Sequence, residues 1–122
     1  MLIISIFIIK NFNGNKKVFF VKDFYSKVYE LVFKIPKGRI TTYKLVAEAL
    51  NKRAYRAVGN ALNKNPYKSV PCHRVVKSDG SIGGYSRGKR KKIKILRREG
   101  ITIKNNKIVD FKKLIFNPKN KN

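Results

Sequence analysis

Cysteine and histidine are scarce in this sequence, which contains one residue of each, Cys72 and His73. A structural zinc site needs four Cys or His ligands at paired spacings, so we expect no bound metal. A single cysteine also excludes a disulfide within the chain and is typical of a reducing compartment. The thiol of Cys72 therefore serves either packing or chemistry.

Acidic residues are also few, since six Asp and Glu stand against 30 Lys and Arg and the formal net charge is +24 at pH 7. Such a charge opposes self-association, which favours a monomer, and it attracts polyanions. Nucleic acid is the expected partner. Charge alone does not distinguish DNA from RNA and indicates no chemistry.

Long apolar runs are missing except at the N-terminus, where Met1 to Ile9 are almost all apolar. This run is too short for a membrane span, which needs about 20 residues, and it lacks the basic start and small-residue cleavage site of a signal peptide. Asn13-Gly14 and a second apolar run, Val18 to Val21, instead predict a β-hairpin over residues 1–22. We therefore expect a soluble, cytoplasmic protein without a membrane partner. Its 122 residues correspond to one small domain.

Three helices are predicted in the first half of the chain. Asp23 caps a helix that ends near Lys34, before Pro36, and Thr41 or Thr42 caps a second helix. A third helix follows at about residues 54–64, and a short polar connection separates it from the second. Two short helices with a tight connection resemble a helix-turn-helix motif.

The third helix has two different faces. Its predicted buried stripe is Val58, Ala61 and Leu62. The opposite face is formed by small residues and one cation: Arg56, Ala57, Gly59 and Asn60. Small residues permit close approach to DNA, but in an arbitrary helix they more often pack against another helix, so both interpretations remain open here.

The second half of the chain is predicted to be mostly irregular, with one basic helix. Residues 70–76 should be extended, residues 78–80 should form a turn, and residues 82–88 are glycine-rich. A helix at residues 89–98 would place Ile93 and Leu96 inward, with Gly100 as its C-cap. Residues 101–109 predict a hairpin that turns at Asn105-Asn106, and the tail after about Lys112 is expected to be frayed.

Cys72 and His73 are candidates for nucleophilic chemistry, because a reactive thiol needs a nearby base or positive field. Their adjacency proves little, since neighbouring side chains on an extended strand point to opposite faces. A single free cysteine in a small domain is also more often a buried packing residue. Residue spacing alone does not decide between these two interpretations.

The stretch Pro71-Cys72-His73-Arg74-Val75 resembles the active-site signature of the O6-alkylguanine-DNA alkyltransferases, also called methylated-DNA–protein-cysteine methyltransferases. The similarity extends over about residues 23–103 and includes further segments in the family's order: Ile35-Pro36-Lys37-Gly38, Thr42-Tyr43, Arg56-Ala57-Val58-Gly59, Asn65-Pro66, Gly83-Gly84-Tyr85-Ser86 and Leu96-Arg97-Arg98-Glu99-Gly100. The resemblance implies an α+β fold whose mainly helical catalytic and DNA-binding domain, residues 23–111, carries a winged helix-turn-helix-like motif. The hairpin at residues 1–22 would precede this domain, and a basic tail at residues 112–122 would follow it.

The same resemblance implies direct reversal of DNA damage without a cofactor. Cys72 would take the alkyl group from O6-alkylguanine, or from O4-alkylthymine, in a single irreversible turnover. The implied site residues have separate roles. His73 would act as base through a water and Glu99 would orient it, while Tyr43 would protonate guanine N3. Tyr85 would form a pocket wall, Ser86 would hydrogen-bond guanine O6, the carbonyls of Cys72 and Val75 would accept from the exocyclic amine, and Asn65 would form a hinge.

Double-stranded DNA is the implied partner, bound through its minor groove. Arg56 would fill the gap left by the extruded base, and the further implied DNA-binding residues are Ala57, Gly59, Asn60, Thr42 and Arg74. The chain departs from the family in its short N-terminal part and in the connection between Asn65 and Cys72, which is about one residue shorter and could alter the pocket width. Two other functions compete. Alkyltransferase-like proteins bind the same lesions but lack the acceptor cysteine, and a basic helix-turn-helix or architectural protein would bind DNA without chemistry.

Overall fold

The computed structural model describes residues 23–51 and 53–119, so the hairpin predicted at residues 1–22 lies outside the described residues. The fold is α+β, as predicted. Its elements in chain order are α1 (Phe24–Phe33), β1 (Thr41–Thr42), α2 (Tyr43–Ala49), α3 (Tyr55–Asn63), a 3-10 turn (Cys72–Arg74), β2 (Val75–Val76), α4 (Lys89–Arg98), β3 (Ile103–Lys104), β4 (Lys107–Ile108) and α5 (Phe111–Leu114).

The first two helices begin where their capping residues predict. Asp23 accepts a hydrogen bond from the Ser26 amide at 2.8 Å, and Thr42 Oγ1 accepts one from the Leu45 amide at 3.0 Å. Each side chain satisfies an amide that has no partner within the helix. Thr42, rather than Thr41, is therefore the cap of α2.

Two apolar clusters form the core. The first joins the inner faces of α1, α2 and α3, where Val28, Val32, Val46, Val58 and Ala61 have no exposed surface. The predicted stripe of α3 is confirmed, since Leu62 is also buried there. The second cluster joins Leu96 of α4 to Ile40, Val76, Ile82 and Ile101.

A short parallel pair of strands brings distant segments together. Thr41 pairs with Val75, and Thr42 pairs with Val76. Because the two strands are parallel, this register places Tyr43, directly after β1, beside Lys77, directly after β2. The 3-10 turn that contains Cys72 directly precedes β2 and so lies at the opposite end of the pair. The predicted C-terminal hairpin is confirmed as β3 and β4, with Asn105 and Asn106 both at positive φ.

The tail was expected to be frayed after about Lys112, and this is wrong for residues 112–116. The Ile40 amide donates to the Leu114 carbonyl at 3.0 Å, and the Phe116 amide donates to the Ile40 carbonyl at 2.7 Å. Arg39 also donates to the carbonyls of Leu114 and Ile115, and Phe116 is only 7% exposed. The apolar side chains 114–116 thus continue the core past the predicted boundary at residue 111.

Candidate active site

Cys72 begins the 3-10 turn that follows Pro71. The Cys72 amide donates to the Val70 carbonyl at 2.8 Å, and the Arg74 amide donates to the Pro71 carbonyl at 3.0 Å. The extended conformation predicted for the whole of residues 70–76 is therefore wrong, since only Val75–Val76 form a strand. With about three residues per turn, neighbouring side chains do not point to opposite faces. Cys72 and His73 accordingly line the same pocket.

The sulfur of Cys72 lies 3.1 Å from the side-chain nitrogen of Asn65. The same nitrogen lies 3.1 Å from the Tyr67 carbonyl and 3.3 Å from the Val70 carbonyl, and Asn65 Oδ1 accepts from the Tyr67 amide at 2.9 Å. Asn65 therefore makes the backbone hydrogen bonds expected of a hinge. Its contact with the thiol was not predicted, and it places an amide donor beside the sulfur, where negative charge would develop in a reaction of the cysteine.

Glu99 holds the two residues that follow Cys72. His73 Nε2 lies 3.0 Å from Glu99 Oε2, while Arg74 donates through Nε to Oε1 at 3.0 Å and through a terminal nitrogen to Oε2 at 2.7 Å. Burial by itself would raise the pKa of Glu99, but the hydrogen bonds from Arg74 and His73 outweigh it and lower that pKa. Glu99 also caps the C-terminal end of α4, where the helix dipole disfavours an anion. The bidentate ion pair with Arg74 offsets the unfavourable interaction of Glu99 with the helix dipole.

Arg74 is not placed to contact DNA. Its side chain is 15% exposed, and the guanidinium nitrogen that does not bind Glu99 donates to the Ile35 carbonyl at 2.7 Å. These contacts engage both edges of the guanidinium. We therefore correct its role from a DNA contact to a residue that orients Glu99 and hence His73.

Burial lowers the pKa of His73, although its hydrogen bond with Glu99 acts in the opposite direction. The imidazole is therefore neutral at neutral pH. In this form Nε2 carries the proton that faces the carboxylate, and Nδ1 remains free of a proton. His73 can thus accept a proton at Nδ1.

Tyr43 is the first residue of α2 and lies against the glycines of the irregular segment. Its hydroxyl is 3.5 Å from the Gly84 carbonyl. Gly83 has a φ of 74°, and a Cβ there would come within 3.3 Å of the Tyr43 hydroxyl. Burial, followed by the electrostatic effect of Cys72, raises the pKa of Tyr43. The phenol therefore keeps its proton at neutral pH and can donate it.

Lys92 is a buried residue whose importance the sequence analysis missed. Its ammonium nitrogen lies 2.7 Å from the Val75 carbonyl, 2.6 Å from the Ile82 carbonyl and 2.9 Å from the Gly84 carbonyl. Its side chain is 0% exposed, and burial lowers its pKa to about 7. The nitrogen also lies 5.8 Å from the centre of the Tyr43 ring. Lys92 thus ties the segment after the cysteine to the glycine-rich segment beside Tyr43.

The position of Lys92 bears on two predictions. The Val75 carbonyl, which is expected to accept from the guanine amine, accepts from Lys92 and has a second lone pair for that amine. Ile93 and Leu96 of α4 pack inward, as predicted, and Lys92 is an additional buried residue of this helix. Lys92 precedes Leu96 by four residues, so helical periodicity predicts that both lie on the buried face of α4.

Five of the predicted residues line one cavity of about 50 Å³: Asn65, Cys72, His73, Tyr85 and Ser86. Tyr85 is half-buried and Ser86 is exposed. Burial raises the pKa of Tyr85, and Cys72 adds to this effect. The arrangement combines a nucleophile, a base with its orienting carboxylate, and an aromatic wall.

The small face of α3 is open to solvent. A Cβ placed on Gly59 would have no other atom within 4 Å, and Arg56 and Asn60 are exposed. Packing against another helix is therefore the wrong interpretation at Gly59, and Ala57 is only half-buried. This face is available to a partner.

Thr42 is corrected from a DNA contact to a structural residue. It is 3% exposed, and its hydroxyl caps α2. A side chain so little exposed has no surface with which to contact DNA.

Within residues 23–51 and 53–119 no group of three or more Cys, His, Asp or Glu side chains is placed to hold a metal. No helix in this part of the chain has the length and apolar character needed to cross a bilayer.

Residues 23–101 match the family described as 6-O-methylguanine DNA methyltransferase, DNA binding domain. A bifunctional methyltransferase/endonuclease of Picrophilus torridus is 46% identical over 97 residues, which are 78% of this chain and 32% of that protein. A methylated-DNA–protein-cysteine methyltransferase of Saccharolobus solfataricus is 48% identical over 80 residues, which are 66% of this chain and 52% of that protein. The chain thus spans between about a third and a half of the length of these curated relatives.

Solved structures give the same fold. The O6-methylguanine-DNA methyltransferase of Pyrococcus kodakaraensis is 48% identical, with a TM-score of 0.59 over 66% of this chain and 47% of that chain. Atl1 of S. pombe, in complex with damaged DNA containing O6-carboxymethylguanine, is 31% identical, with a TM-score of 0.65 over 76% of this chain and 94% of that chain.

Proposed function

Because the chain belongs to the 6-O-methylguanine DNA methyltransferase family, we propose that it repairs alkylated DNA by moving an alkyl group from guanine O6 to Cys72. The observation that carries the proposal is the 3.0 Å contact between His73 and Glu99, directly after the only cysteine of the chain. A nucleophile, a base and an orienting carboxylate are the elements of activated nucleophilic catalysis. Here Cys72 and His73 line one cavity with an aromatic wall, and Glu99 contacts the far side of the His73 ring.

The thiol proton leaves first. Among the contacts of the described residues none joins the Cys72 sulfur directly to His73, so a bridging water carries the proton to Nδ1 of His73. Glu99 stabilises the resulting imidazolium through Nε2, and Asn65 donates to the sulfur as it becomes negative.

Alkyl transfer then proceeds by in-line displacement. The thiolate sulfur attacks the alkyl carbon, the bond from that carbon to O6 breaks, and the electron pair moves into the guanine ring. Tyr43 donates its phenolic proton to guanine N3, so that guanine leaves as a neutral base. Tyr43 and His73 then return to their starting forms by proton exchange with solvent. The thioether at Cys72 is stable, so each molecule reacts once and no cofactor takes part.

The target base must leave the duplex before it can reach Cys72, and extrusion costs a few kcal/mol. Arg56 is exposed at the start of α3, and its side chain has no hydrogen bond or ion pair to another described residue, so its guanidinium is available to occupy the gap in the base stack. Ala57, Gly59 and Asn60 form the face of α3 that would lie in the minor groove. Double-stranded DNA is therefore the proposed partner. We further propose that the protein acts as a monomer in the cytoplasm, a compartment where a free thiol stays reduced.

Intact mass of the protein before and after incubation with duplex DNA carrying one O6-methylguanine tests the proposal. We expect a gain of one methyl group, located by peptide mapping to the Cys72 peptide. Cys72→Ala should bind the same duplex and gain nothing.

One competing outcome has a specific basis, because the similarity to S. pombe Atl1 covers 94% of that chain. Binding of the lesion without any mass gain by the unaltered protein would make it a lesion-binding protein and would refute the proposed transfer. Equal affinity for lesion and undamaged duplexes, again without transfer, would favour a general DNA-binding protein.

A further inference from the structure

Two cations line the cavity that contains Cys72, and the transfer steps proposed above use neither of them. They are Lys68 and Arg87, and both side chains are exposed. Among the described residues that line this cavity none is acidic. The cavity shares no residue with the hollow along the open face of α3, which is lined by Tyr43 and Arg56 among others. Lys68 and Arg87 therefore lie on the thiol side of the site rather than on the face proposed to enter the minor groove.

Each cation lies at a central position of a short turn. Residues 67–70 form the turn that holds Lys68, which is closed by a hydrogen bond of 3.3 Å from its last amide to its first carbonyl. Residues 85–88 form the turn that holds Arg87, which is closed in the same way at 2.9 Å. Since the backbone is already held, only side-chain freedom is lost when either cation contacts an anion.

The positive charge of the two side chains is not compensated within the described part of the chain. The ion pairs found there are both made by Glu99, and neither involves these cations. Asp23 adds to the effect of burial in raising the pKa of Tyr67, but its carboxylate accepts the hydrogen bond that caps α1. The charge of Arg87 reaches the cavity wall, because it opposes the burial that raises the pKa of Tyr85. The cavity is therefore attractive to an anion.

The geometry of in-line displacement decides which part of a substrate meets these cations. The sulfur and guanine O6 lie at the two ends of the reacting axis, so any group attached to the alkyl carbon projects sideways from it. The cavity measures only about 50 Å³, far below the roughly 300 Å³ at which ordinary ligand pockets begin. A substituent on the alkyl carbon therefore meets the side chains that line the cavity, whereas a methyl group carries no such substituent.

We propose that Lys68 and Arg87 are specificity-determining residues that favour O6-alkylguanines whose alkyl group carries a negative charge. O6-carboxymethylguanine is the smallest such substrate with a carboxylate. The sulfur–carbon bond forms, the bond to O6 breaks, and guanine takes the electron pair and the proton from Tyr43. Cys72 becomes S-carboxymethylcysteine, and the carboxylate stays ionised beside the two cations throughout. The inference rests on the proposed function and adds a substrate preference to it.

A neutral substrate of the same shape isolates the effect of charge. O6-carbamoylmethylguanine carries an amide in place of the carboxylate and differs little in size. An exposed ion pair changes an equilibrium by up to about fivefold, so two cations together should favour the charged substrate by about tenfold. Because the two groups differ in intrinsic reactivity, the informative quantity is the ratio of their transfer rates and its change between variants. Added salt should lower this ratio, since it screens ion pairs.

The test measures single-turnover transfer by intact mass, at saturating concentrations of duplexes that carry one methyl, carboxymethyl or carbamoylmethyl group on guanine O6. In the double variant Lys68→Gln with Arg87→Gln we expect the ratio of carboxymethyl to carbamoylmethyl transfer to fall about tenfold. Arg87→Glu should lower the ratio because it reverses a charge, whereas Arg87→Lys should retain most of it. Lys27→Gln, which alters an exposed lysine on α1, is the control and should leave the ratio unchanged.

A ratio in the double variant that equals that of Lys27→Gln would overturn the inference. Equal slowing of the carboxymethyl and carbamoylmethyl reactions gives this result, and it would mean that the cations contact the DNA backbone rather than the alkyl group. Methyl transfer by the unaltered protein would then show that the proposed function stands without the preference. No transfer from any of the three duplexes would instead refute the proposed function, and this inference with it.

Discussion

Lys92 donates a hydrogen bond to the carbonyl of Val75 at 2.7 Å, from a helix that follows the cysteine by more than a dozen residues. The same amine holds the carbonyls of Ile82 and Gly84. A buried lysine is costly unless its donors are used, and here three carbonyls match the three N–H groups of an ammonium. The interior of the site is therefore organised around a lysine amine that faces carbonyl oxygens rather than a carboxylate.

Replacement of Lys92 by Met should destabilise the fold and slow alkyl transfer. The side chain keeps its apolar length, but three inward-facing carbonyls lose their donor, which costs about 1–3 kcal/mol. The temperature of thermal unfolding and the rate of alkyl transfer should both decrease. Lys91→Met, at the exposed neighbouring position, serves as the control and should leave both unchanged. Equal behaviour of the two variants would contradict the structural role of Lys92.

The same lysine gives stability a characteristic dependence on pH. Its pKa is lowered from 10.5 to about 7 in the folded chain, so between these values the unfolded chain binds more protons than the folded one. The free energy of unfolding should therefore rise with pH, by up to about 1.4 kcal/mol per pH unit. Denaturant unfolding between pH 7.5 and 9.5 measures this slope, and the slope should disappear in Lys92→Met.

Glu99→Gln should reduce the transfer rate about 100-fold while lesion binding remains. The amide cannot stabilise an imidazolium as a carboxylate does. Because Glu99 raises the pKa of His73 against the lowering effect of burial, its loss should also move the acidic limb of the pH-rate profile to lower pH. Single-turnover rates between pH 5 and 8 test both effects. A shift of that limb to higher pH would exclude the proposed role of His73 as base.

Asn65→Asp keeps the shape of the hinge but replaces the donor at 3.1 Å from the Cys72 sulfur with an oxygen. The negative oxygen disfavours a neighbouring thiolate, so we expect transfer to slow by 10- to 100-fold. The reaction of Cys72 with iodoacetamide should slow in parallel. Asn65→Ser should slow the reactions of Cys72 less than Asn65→Asp does, because serine adds no charge. A normal iodoacetamide rate in Asn65→Asp would show that the contact does not activate the thiol.

Substitutions at Gly59 should affect the stability of α3 and the binding of duplex DNA differently. A methyl group there meets no other atom within 4 Å, so Gly59→Ala should stabilise α3 by about 0.5–1 kcal/mol. Gly59→Leu should be folded equally well, yet its side chain should hold DNA away from the helix and weaken duplex binding at least tenfold. Calorimetry and a duplex titration measure the two properties. Unimpaired binding by Gly59→Leu would show that DNA does not contact this face.

The helices were predictable because their signals are local. Asp23 and Thr42 are caps whose partners lie three residues away, and the stripe of Val58, Ala61 and Leu62 follows from helical periodicity alone. His73 and Glu99, 26 residues apart in sequence, were paired only through a family resemblance.

What escaped prediction depends on contacts between distant segments. The burial of Lys92 among other lysines is set by carbonyls of residues 75, 82 and 84, whose positions no local pattern specifies. Arg74 was expected to contact DNA only through the family resemblance, but its guanidinium binds Glu99 and the Ile35 carbonyl. The 3-10 turn at Cys72 likewise overrides the extended preference of residues 70–76, three of which are valines.

The contact between residues 39–40 and residues 114–116 also bears on how the protein is made. Arg39 and Ile40 are synthesised early, and their hydrogen-bonding partners emerge from the ribosome some 75 residues later. Contacts with so large a sequence separation form late in folding and slow it. If a ribosome stalls before residue 116, Ile40 and the segment around β1 therefore lack their hydrogen bonds to residues 114–116. The nascent chain can be protected from proteolysis in this region only after synthesis has passed Phe116.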